Sequence, residues 1–116
     1  MKVHELARAL GWECLTPTLP ETPTDVTRGY VSDLLSDVLA HGPESGVLVT
    51  VQIHMNVIAV ATHAELAAVV FVMDRRPEDA VLAKAVEEGV RLYTTKQTAF
   101  ETVGRLYELG LRGPSA

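Results

Sequence analysis

Polar side chains that could bind a small molecule follow two apolar runs of this 116-residue sequence. The first run is 29–31 and the second is 47–51. The side chains that come after them are Ser32 and Asp33, then Gln52, His54 and Asn56. Hydroxyl, carboxylate, amide and imidazole groups together donate and accept hydrogen bonds. Their position after predicted strands indicates a ligand-binding site.

A second set of candidate ligand-binding residues lies later in the chain and contains cations: Arg75, Arg76, Thr94, Thr95, Lys96 and Thr98. Arginine and lysine near helix amino termini, helped by threonine hydroxyls and free backbone amides, can hold an anion such as a phosphate. The same residues also fit an ordinary solvated loop, because exposed arginine and lysine are common. Both interpretations stay open at this point.

Four side chains, some of them already named, have more than one interpretation. Asp33 and Asp37 are four residues apart, which on a helix puts them on one face. There they could bind a cation or act as acid and base, or Asp33 could simply oppose the helix dipole. His54 could be a ligand, a general base or a structural cap, and it has no cysteine or carboxylate beside it at metal spacing. Cys14 is expected to be a small buried residue rather than a nucleophile.

Four common motifs are absent from the sequence: the phosphate loop GxxxxGK[ST], the dinucleotide fingerprint GxGxxG, the nucleophile elbow GxSxG and the metallopeptidase motif HExxH. We therefore predict a protein that is not an enzyme, with no catalytic residue, no metal site and no cofactor. The net charge of −5 disfavours a nucleic-acid partner, which requires clustered basic residues.

No apolar run approaches the roughly 18 residues that a membrane span needs, and the amino terminus lacks a signal peptide. The single cysteine cannot form a disulfide within the chain. These observations predict a cytoplasmic protein without a membrane partner.

The N-terminal part is predicted to be a helix followed by a loop. Apolar residues at helical spacing predict a helix over residues 3–10, which Gly11 ends in the left-handed conformation. Three prolines remove backbone donors between residues 15 and 27, which predicts a loop there. We expect residues 1–27 to pack against the rest of a single domain.

From residue 28 onward the chain repeats a strand, a polar loop and a helix, which is typical of a parallel sheet with covering helices. The predicted strands are 29–31, 47–51, 68–72 and 90–93. The predicted helices run from a Ser32 cap to about residue 41, over 55–63, over 77–88 with Pro77 at the first helical position, and over about 98–109 with Thr98 and Glu101 as a capping box.

The segment 55–63 can be read as a strand or as a helix. Its composition favours a strand, but the crossover between parallel strands favours a helix, which we prefer. The chain is thus expected to be an α/β protein with one small domain, residues 28–111, a mainly parallel sheet of about four strands and helices on both faces. Residues 112–116 are expected to fray. Parallel strands place all four loops that follow them at one edge, where ligands usually bind.

Three stretches resemble the DRTGG domain family: Tyr30 through Val38, Thr50 through Asn56, and Thr94-Thr95-Lys96 with Phe100-Glu101. The similarity covers about residues 28–110. That family is similar to the amino-terminal domain of HPr kinase/phosphorylase, occurs beside CBS pairs and within long phosphotransacetylases, and is regarded as regulatory. The resemblance implies an α/β fold without catalysis of its own. It carries over Ser32, Asp33, Gln52, His54 and Asn56 as site candidates.

One departure from the family concerns the turn after the third strand. Relatives commonly carry a Thr-Gly-Gly type turn there, whereas this chain has Val72-Met73-Asp74. Glycine permits a positive φ and close backbone approach, and Met73 and Asp74 are expected to permit neither easily.

The functional expectation is a regulatory module that binds a small anionic metabolite or a nucleotide at the sheet edge and acts as a homodimer. The alternative is an adaptor that binds a larger metabolic or redox enzyme. A third, weaker alternative is an enzyme that uses His54 with Asp33.

Overall fold

The computed structural model describes residues 1–114, which form five helices and a five-stranded sheet. In chain order the elements are α1 (Val3–Leu10), β1 (Glu13–Cys14), β2 (Gly29–Val31), α2 (Leu35–His41), β3 (Val47–Thr50), α3 (Asn56–His63), β4 (Ala68–Phe71), α4 (Asp79–Glu88), β5 (Leu92–Thr94) and α5 (Ala99–Glu108).

The strands lie in the order β1-β5-β4-β3-β2. Strands β2, β3, β4 and β5 are parallel to their neighbours, and β1 pairs antiparallel with β5. The predicted α/β domain with a mainly parallel sheet is therefore confirmed. The sheet has one strand more than the four in the strand-loop-helix repeat, because β1 adds itself to the outer side of β5.

Helices cover both faces of the sheet and create two hydrophobic cores. Residues of α1 and α5, such as Leu6 and Leu106, pack against Val49. Residues of α2, α3 and α4 pack on the opposite face, where Ile58 and Phe71 belong to one cluster. Because side chains alternate between the faces of a strand, every residue of β3 and β4 is buried.

Helices α1 and α3 confirm two predictions. Helix α1 ends at Gly11, whose φ of 71° lies in the left-handed region. The segment predicted as 55–63 is a helix from Asn56 to His63, which decides against the strand. Its Val57, Ile58 and Ala61 are buried against the sheet, so the apolar composition reflects a packed helix face.

Two predicted helix starts and one strand need correction. Leu34 is extended, so α2 begins at Leu35 and Ser32 does not cap it. Glu78 is extended as well, so α4 begins two residues after Pro77. The strand predicted at 90–93 is Leu92–Thr94, because the Val90 N–H bonds to the Ala85 carbonyl at 2.8 Å in the turn that ends α4.

Cys14 and Arg112 also differ from expectation. Cys14 is exposed, since β1 is a short edge strand, and the expected burial was wrong. Arg112, assigned to a frayed tail, exchanges backbone hydrogen bonds with Thr27 at 3.1 Å and Gly29 at 2.9 Å. Residues 115 and 116 of that predicted tail lie outside the described residues.

Candidate functional site

The loops after β2, β3, β4 and β5 lie at the carboxyl edge of the sheet, because these four strands are parallel. We call Ser32, Asp33 and residues 50–56 the first half of this edge. Residues 73–76 and 94–98 are the second half. The Val72 N–H bonds to the Thr50 carbonyl at 3.2 Å, which joins the two halves.

Asp33 organises the first half. Its Oδ1 accepts a hydrogen bond from the Thr50 hydroxyl and another from the Val51 N–H, both at 2.8 Å. The carboxylate therefore ties the loop after β2 to the end of β3. Asp33 precedes α2, so the prediction that it shares a helix face with Asp37 was wrong.

Alternate residues after β3 form a ladder of side-chain hydrogen bonds to the backbone two residues ahead. Thr50 Oγ1 accepts from Gln52 N–H at 3.0 Å, Gln52 Oε1 accepts from His54 N–H at 3.3 Å, and His54 Nδ1 accepts from Asn56 N–H at 3.0 Å. With Nδ1 as acceptor, the neutral ring of His54 carries its proton on Nε2. The exposed His54 ring can donate that hydrogen to a ligand.

Asp37 makes contacts of its own on α2. Its Oδ2 accepts a 2.7 Å hydrogen bond from the Tyr30 hydroxyl, and His41 Nδ1 lies 3.0 Å from Oδ1. The Tyr30 hydrogen bond is the main reason that the pKa of Asp37 is lowered, and the same bond raises the pKa of Tyr30. Ser32, at the start of the loop, accepts the Leu34 N–H at 3.2 Å.

In the second half, Met73 and Asp74 both have positive φ, 56° and 57°. Both residues therefore adopt the conformation that they were expected not to permit easily. Two hydrogen bonds fix it: Met73 N–H donates to the Gln97 carbonyl at 2.8 Å, and Asp74 N–H donates to the Thr95 carbonyl at 2.7 Å. The turn after β4 is thereby held against the loop after β5 without glycine.

The threonine hydroxyls of the second half support the loops. Buried Thr94 donates to the Arg75 carbonyl at 2.8 Å. Thr95 accepts the Gln97 N–H at 3.3 Å. Thr98 caps α5 by accepting the Glu101 N–H at 3.2 Å, which confirms its predicted capping role.

Arg76 forms ion pairs with two carboxylates. It donates to both oxygens of Glu13 at 2.6 and 2.8 Å and to Asp74 Oδ1 at 2.8 Å. The guanidinium lowers the pKa of Glu13, and the two carboxylates raise the pKa of Arg76. The side chain tethers β1 to the loop after β4.

Arg75 and Lys96 remain as exposed cations of the second half. Neither forms an ion pair within residues 1–114. Lys96 lines a cavity of about 340 Å³, whose walls also include Thr95, Gln97 and the Glu13–Arg76 pair. This cavity is the polar concave surface at the edge that an anion could enter.

The structure thus groups the predicted site residues into two adjacent sets, with Ser32, Asp33, Gln52, His54 and Asn56 in the first half. The second half contains the remaining candidates: Arg75, Arg76, Thr94, Thr95, Lys96 and Thr98. Sequence reasoning missed Glu13, whose partner is 63 residues away along the chain. No local pattern signals such a pair.

Among residues 1–114 there is no group of three or more histidine, cysteine, aspartate or glutamate side chains arranged to hold a metal ion. Over the same part of the chain, every helix is too short or too polar to cross a bilayer.

Compared with family models and with curated proteins, the sequence matches none. Its structure is similar to that of the CBS and DRTGG domains of the regulatory region of Clostridium perfringens pyrophosphatase, determined in complex with the activator diadenosine tetraphosphate. The TM-score is 0.69 at 12% sequence identity, over 95% of this chain. The chain has a DRTGG-like fold. It spans about half of that structure, 47% of its length.

The DRTGG-like fold was expected from three short stretches, and all three contribute to the carboxyl edge described above, the first through Ser32 and Asp33. Thr50 through Asn56 forms the hydrogen-bond ladder, and Thr94-Thr95-Lys96 forms the loop that holds Asp74. The resembling residues therefore build the edge of the sheet. The structural likeness at this low identity concerns the fold.

Proposed function

We propose that this chain is a regulatory module that binds a small anionic metabolite or a nucleotide at the carboxyl edge of its sheet and acts through dimerisation. The observation that carries the proposal is the placement of Arg75 and Lys96. Both are exposed on loops that follow adjacent parallel strands, and within residues 1–114 neither is neutralised by an ion pair. Lys96 also lines a polar cavity, and two exposed cations on neighbouring loops favour a ligand with a phosphate or carboxylate group.

The ligand class follows from charge and donors. A chain with net charge −5 repels a long polyanion, but two local cations suffice for one phosphate group. The exposed Asn56 amide and His54 Nε2 in the first half supply hydrogen-bond donors for a polar ligand body. The activator of the pyrophosphatase region with this fold is a nucleotide, which supports the phosphate-bearing class.

The proposal assigns no catalysis to the edge. Asp33 accepts two hydrogen bonds from Thr50 and Val51, and His54 Nδ1 accepts one from the backbone. Both groups are therefore engaged in holding loops, which does not favour their use as an acid and base pair. A regulatory role also agrees with the regulatory origin of the structural neighbour.

Thermal unfolding tests the binding proposal. The panel consists of nucleotides, including diadenosine tetraphosphate, together with acyl phosphates and sugar phosphates. At least one compound should raise the Tm of the chain. Arg75→Ala and Lys96→Ala should each reduce that rise, whereas Lys84→Ala removes the same charge from the middle of α4 and should leave it unchanged.

Two results would contradict the proposal. One is the absence of any ligand-dependent rise in Tm across the panel. The other is an equal loss of the rise in the Lys84→Ala control, which would show that the response depends on net charge rather than on the edge.

A second candidate function is an adaptor that binds a larger metabolic or redox enzyme. The exposed Phe100 and Tyr107 on α5 favour a protein contact of some kind. Copurification of a stoichiometric protein partner, combined with no response to the ligand panel, would favour the adaptor.

A further inference from the structure

A cavity of about 310 Å³ lies between helix α1, the loop that follows β1 and the amino end of β5. Its walls include Ala7 on α1, Pro17 and Leu19 in the loop, and Arg91 and Tyr93 on the β5 side. We call it the α1 cavity. It is separate from the carboxyl edge, because Arg91 precedes β5 whereas the edge residues follow the strands.

Two aromatic side chains in the wall of the α1 cavity carry polar groups that have no partner. Tyr93 is 6% exposed and Trp12 is 8% exposed, and their ring centroids are 5.8 Å apart. Within residues 1–114 neither the Tyr93 hydroxyl nor the Trp12 indole N–H forms a hydrogen bond. Neither atom is sealed from water, since His4 Nδ1 is the one sealed side-chain atom without a partner in that part of the chain. Buried tyrosine and tryptophan usually pair these groups, so a ligand with hydrogen-bonding atoms would satisfy them.

Arg91 supplies a positive charge to the same cavity. Its Nε and Nη2 donate to the Pro20 carbonyl at 3.1 and 2.6 Å, and within residues 1–114 it forms no ion pair. A guanidinium has five N–H donors, of which these bonds use two. Arg91 is therefore held in position while its charge and its other donors are free for an anion.

The other charged groups in the cavity wall balance each other. Arg8 Nη2 donates to Glu21 Oε1 at 3.0 Å, and His4 Nε2 lies 3.5 Å from Glu21 Oε2. Because His4 Nδ1 is sealed without an acceptor, the neutral ring carries its hydrogen on Nε2, next to Glu21. The charged side chains in the wall thus leave an excess of one positive charge, which belongs to Arg91.

We propose that the α1 cavity binds a small monocarboxylic acid in its anionic form, with the carboxylate at Arg91 and the Tyr93 hydroxyl. The apolar body of the acid lies against Ala7, Pro17 and Leu19. This site goes beyond the proposed function, because it lies away from the carboxyl edge and takes a different ligand.

Charge and size restrict the ligand class. One excess positive charge matches one carboxylate, and the carboxylate of Glu21 in the same wall disfavours a more highly charged anion such as a phosphate ester. A volume of about 310 Å³ is at the lower end of small-molecule sites, which suits a small acid.

The unpartnered groups are donors, which favours an acceptor on the ligand. The indole N–H of Trp12 and the guanidinium of Arg91 can only donate. Burial is the main reason that the pKa of Tyr93 is raised, so its hydroxyl keeps its hydrogen at neutral pH and can donate as well. A cationic ligand would find donors and a positive charge there instead of acceptors.

Fluorescence of Trp12 tests the site directly, because Trp12 is the only tryptophan of the chain and lines the cavity. Phenylacetate, hexanoate and cyclohexanecarboxylate are titrated into the full chain. At least one should cause a saturable change in fluorescence. The corresponding amides have nearly the same shape without the charge and should bind at least about tenfold more weakly.

Two variants identify the groups that bind the carboxylate. Tyr93→Phe removes a hydroxyl that has no partner within residues 1–114, so the fold and its Tm should be retained while binding weakens about three- to tenfold. Arg91→Gln keeps an N–H donor for the Pro20 carbonyl but removes the charge, and it should weaken binding at least about tenfold. Arg105→Gln on α5 removes the same charge from an exposed position outside the cavity and should bind like the wild type.

Three results would overturn the α1 cavity as a carboxylate site. They are the absence of a saturable change with all three acids, equal binding of acids and amides, and wild-type binding by both Tyr93→Phe and Arg91→Gln. Binding at the carboxyl edge is tested with other ligands and through Arg75 and Lys96, so a failure at the α1 cavity would leave the proposed function standing.

Discussion

The two halves of the carboxyl edge use their polar residues differently. In the first half, Asp33 and the ladder from Thr50 to Asn56 turn side chains back onto the backbone. In the second half, positive φ at two residues and an ion-pair triad hold the loops, while Arg75 and Lys96 stay exposed. The first half is ordered by hydrogen bonds of uncharged side chains and of one carboxylate. The second half is ordered by left-handed backbone conformations and by ion pairs. Similar polar sequences can therefore turn their side chains onto the backbone in one place and leave cations exposed in another.

The largest expected effect comes from breaking the first half. Asp33→Ala removes the acceptor of the Thr50 hydroxyl and the Val51 N–H, so both donors lose their partner. Loss of hydrogen bonds to a charged group should lower the free energy of unfolding by about 1–3 kcal/mol. Urea denaturation measures this loss in the free energy of unfolding. Asp33→Asn keeps one acceptor oxygen and should lose less, and an equally large loss would show that charge rather than hydrogen bonding holds the loop.

A smaller effect of opposite sign is expected in the second half. Met73→Gly removes the steric cost of a left-handed residue, which is about 1–2 kcal/mol, and adds the entropy cost of glycine. The net result should be a gain of up to about 1 kcal/mol in the free energy of unfolding. Met73→Ala shortens the same side chain but keeps the steric cost of the positive φ. If both variants behave alike, the backbone of this turn stores no strain.

The smallest expected effect is a change in the pH dependence of stability, and it concerns the Tyr30–Asp37 hydrogen bond at α2. Folding lowers the pKa of Asp37 through its hydrogen bond with Tyr30, so this contribution to stability is present above the ordinary aspartate pKa, about 3.9. It is lost as the pH falls through the lowered value. Tyr30→Phe should therefore flatten the decline of Tm with acid.

Glu13→Gln provides the matching control in the second half. It removes a different carboxylate whose pKa Arg76 lowers. The two variants touch separate contacts, so their effects on the acid slope should add. An unchanged acid slope in Tyr30→Phe would contradict the role given to the Tyr30–Asp37 bond.

Much of the fold was predictable because it rests on local patterns. Apolar spacing and a left-handed glycine define α1. The rule for parallel crossovers identified α3 as a helix despite its strand-like composition. The start of α2 was missed because Ser32 and Asp33 look like capping residues, yet their side chains bond to Leu34 and to the end of β3.

The gathering of the candidate residues at one edge of the sheet was predictable, but the contacts that they make there were not. Parallel strands brought the predicted loops to one edge. The pairing of Glu13 with Arg76 and of β1 with β5 depends on contacts across more than 60 residues, which local patterns do not encode. Positive φ at Met73 likewise came from hydrogen bonds to a distant loop, which overrode the residue's own preference.

Each of the two lateral edges of the sheet is covered by only a few residues. Glu13 and Cys14 cover one side, and Arg112 covers part of the other. An uncovered strand is a template for uncontrolled association and fibril growth. Removing Arg112 would therefore expose such a template beside β2 while leaving both hydrophobic cores largely in place, so resistance to aggregation depends in part on a residue outside the core.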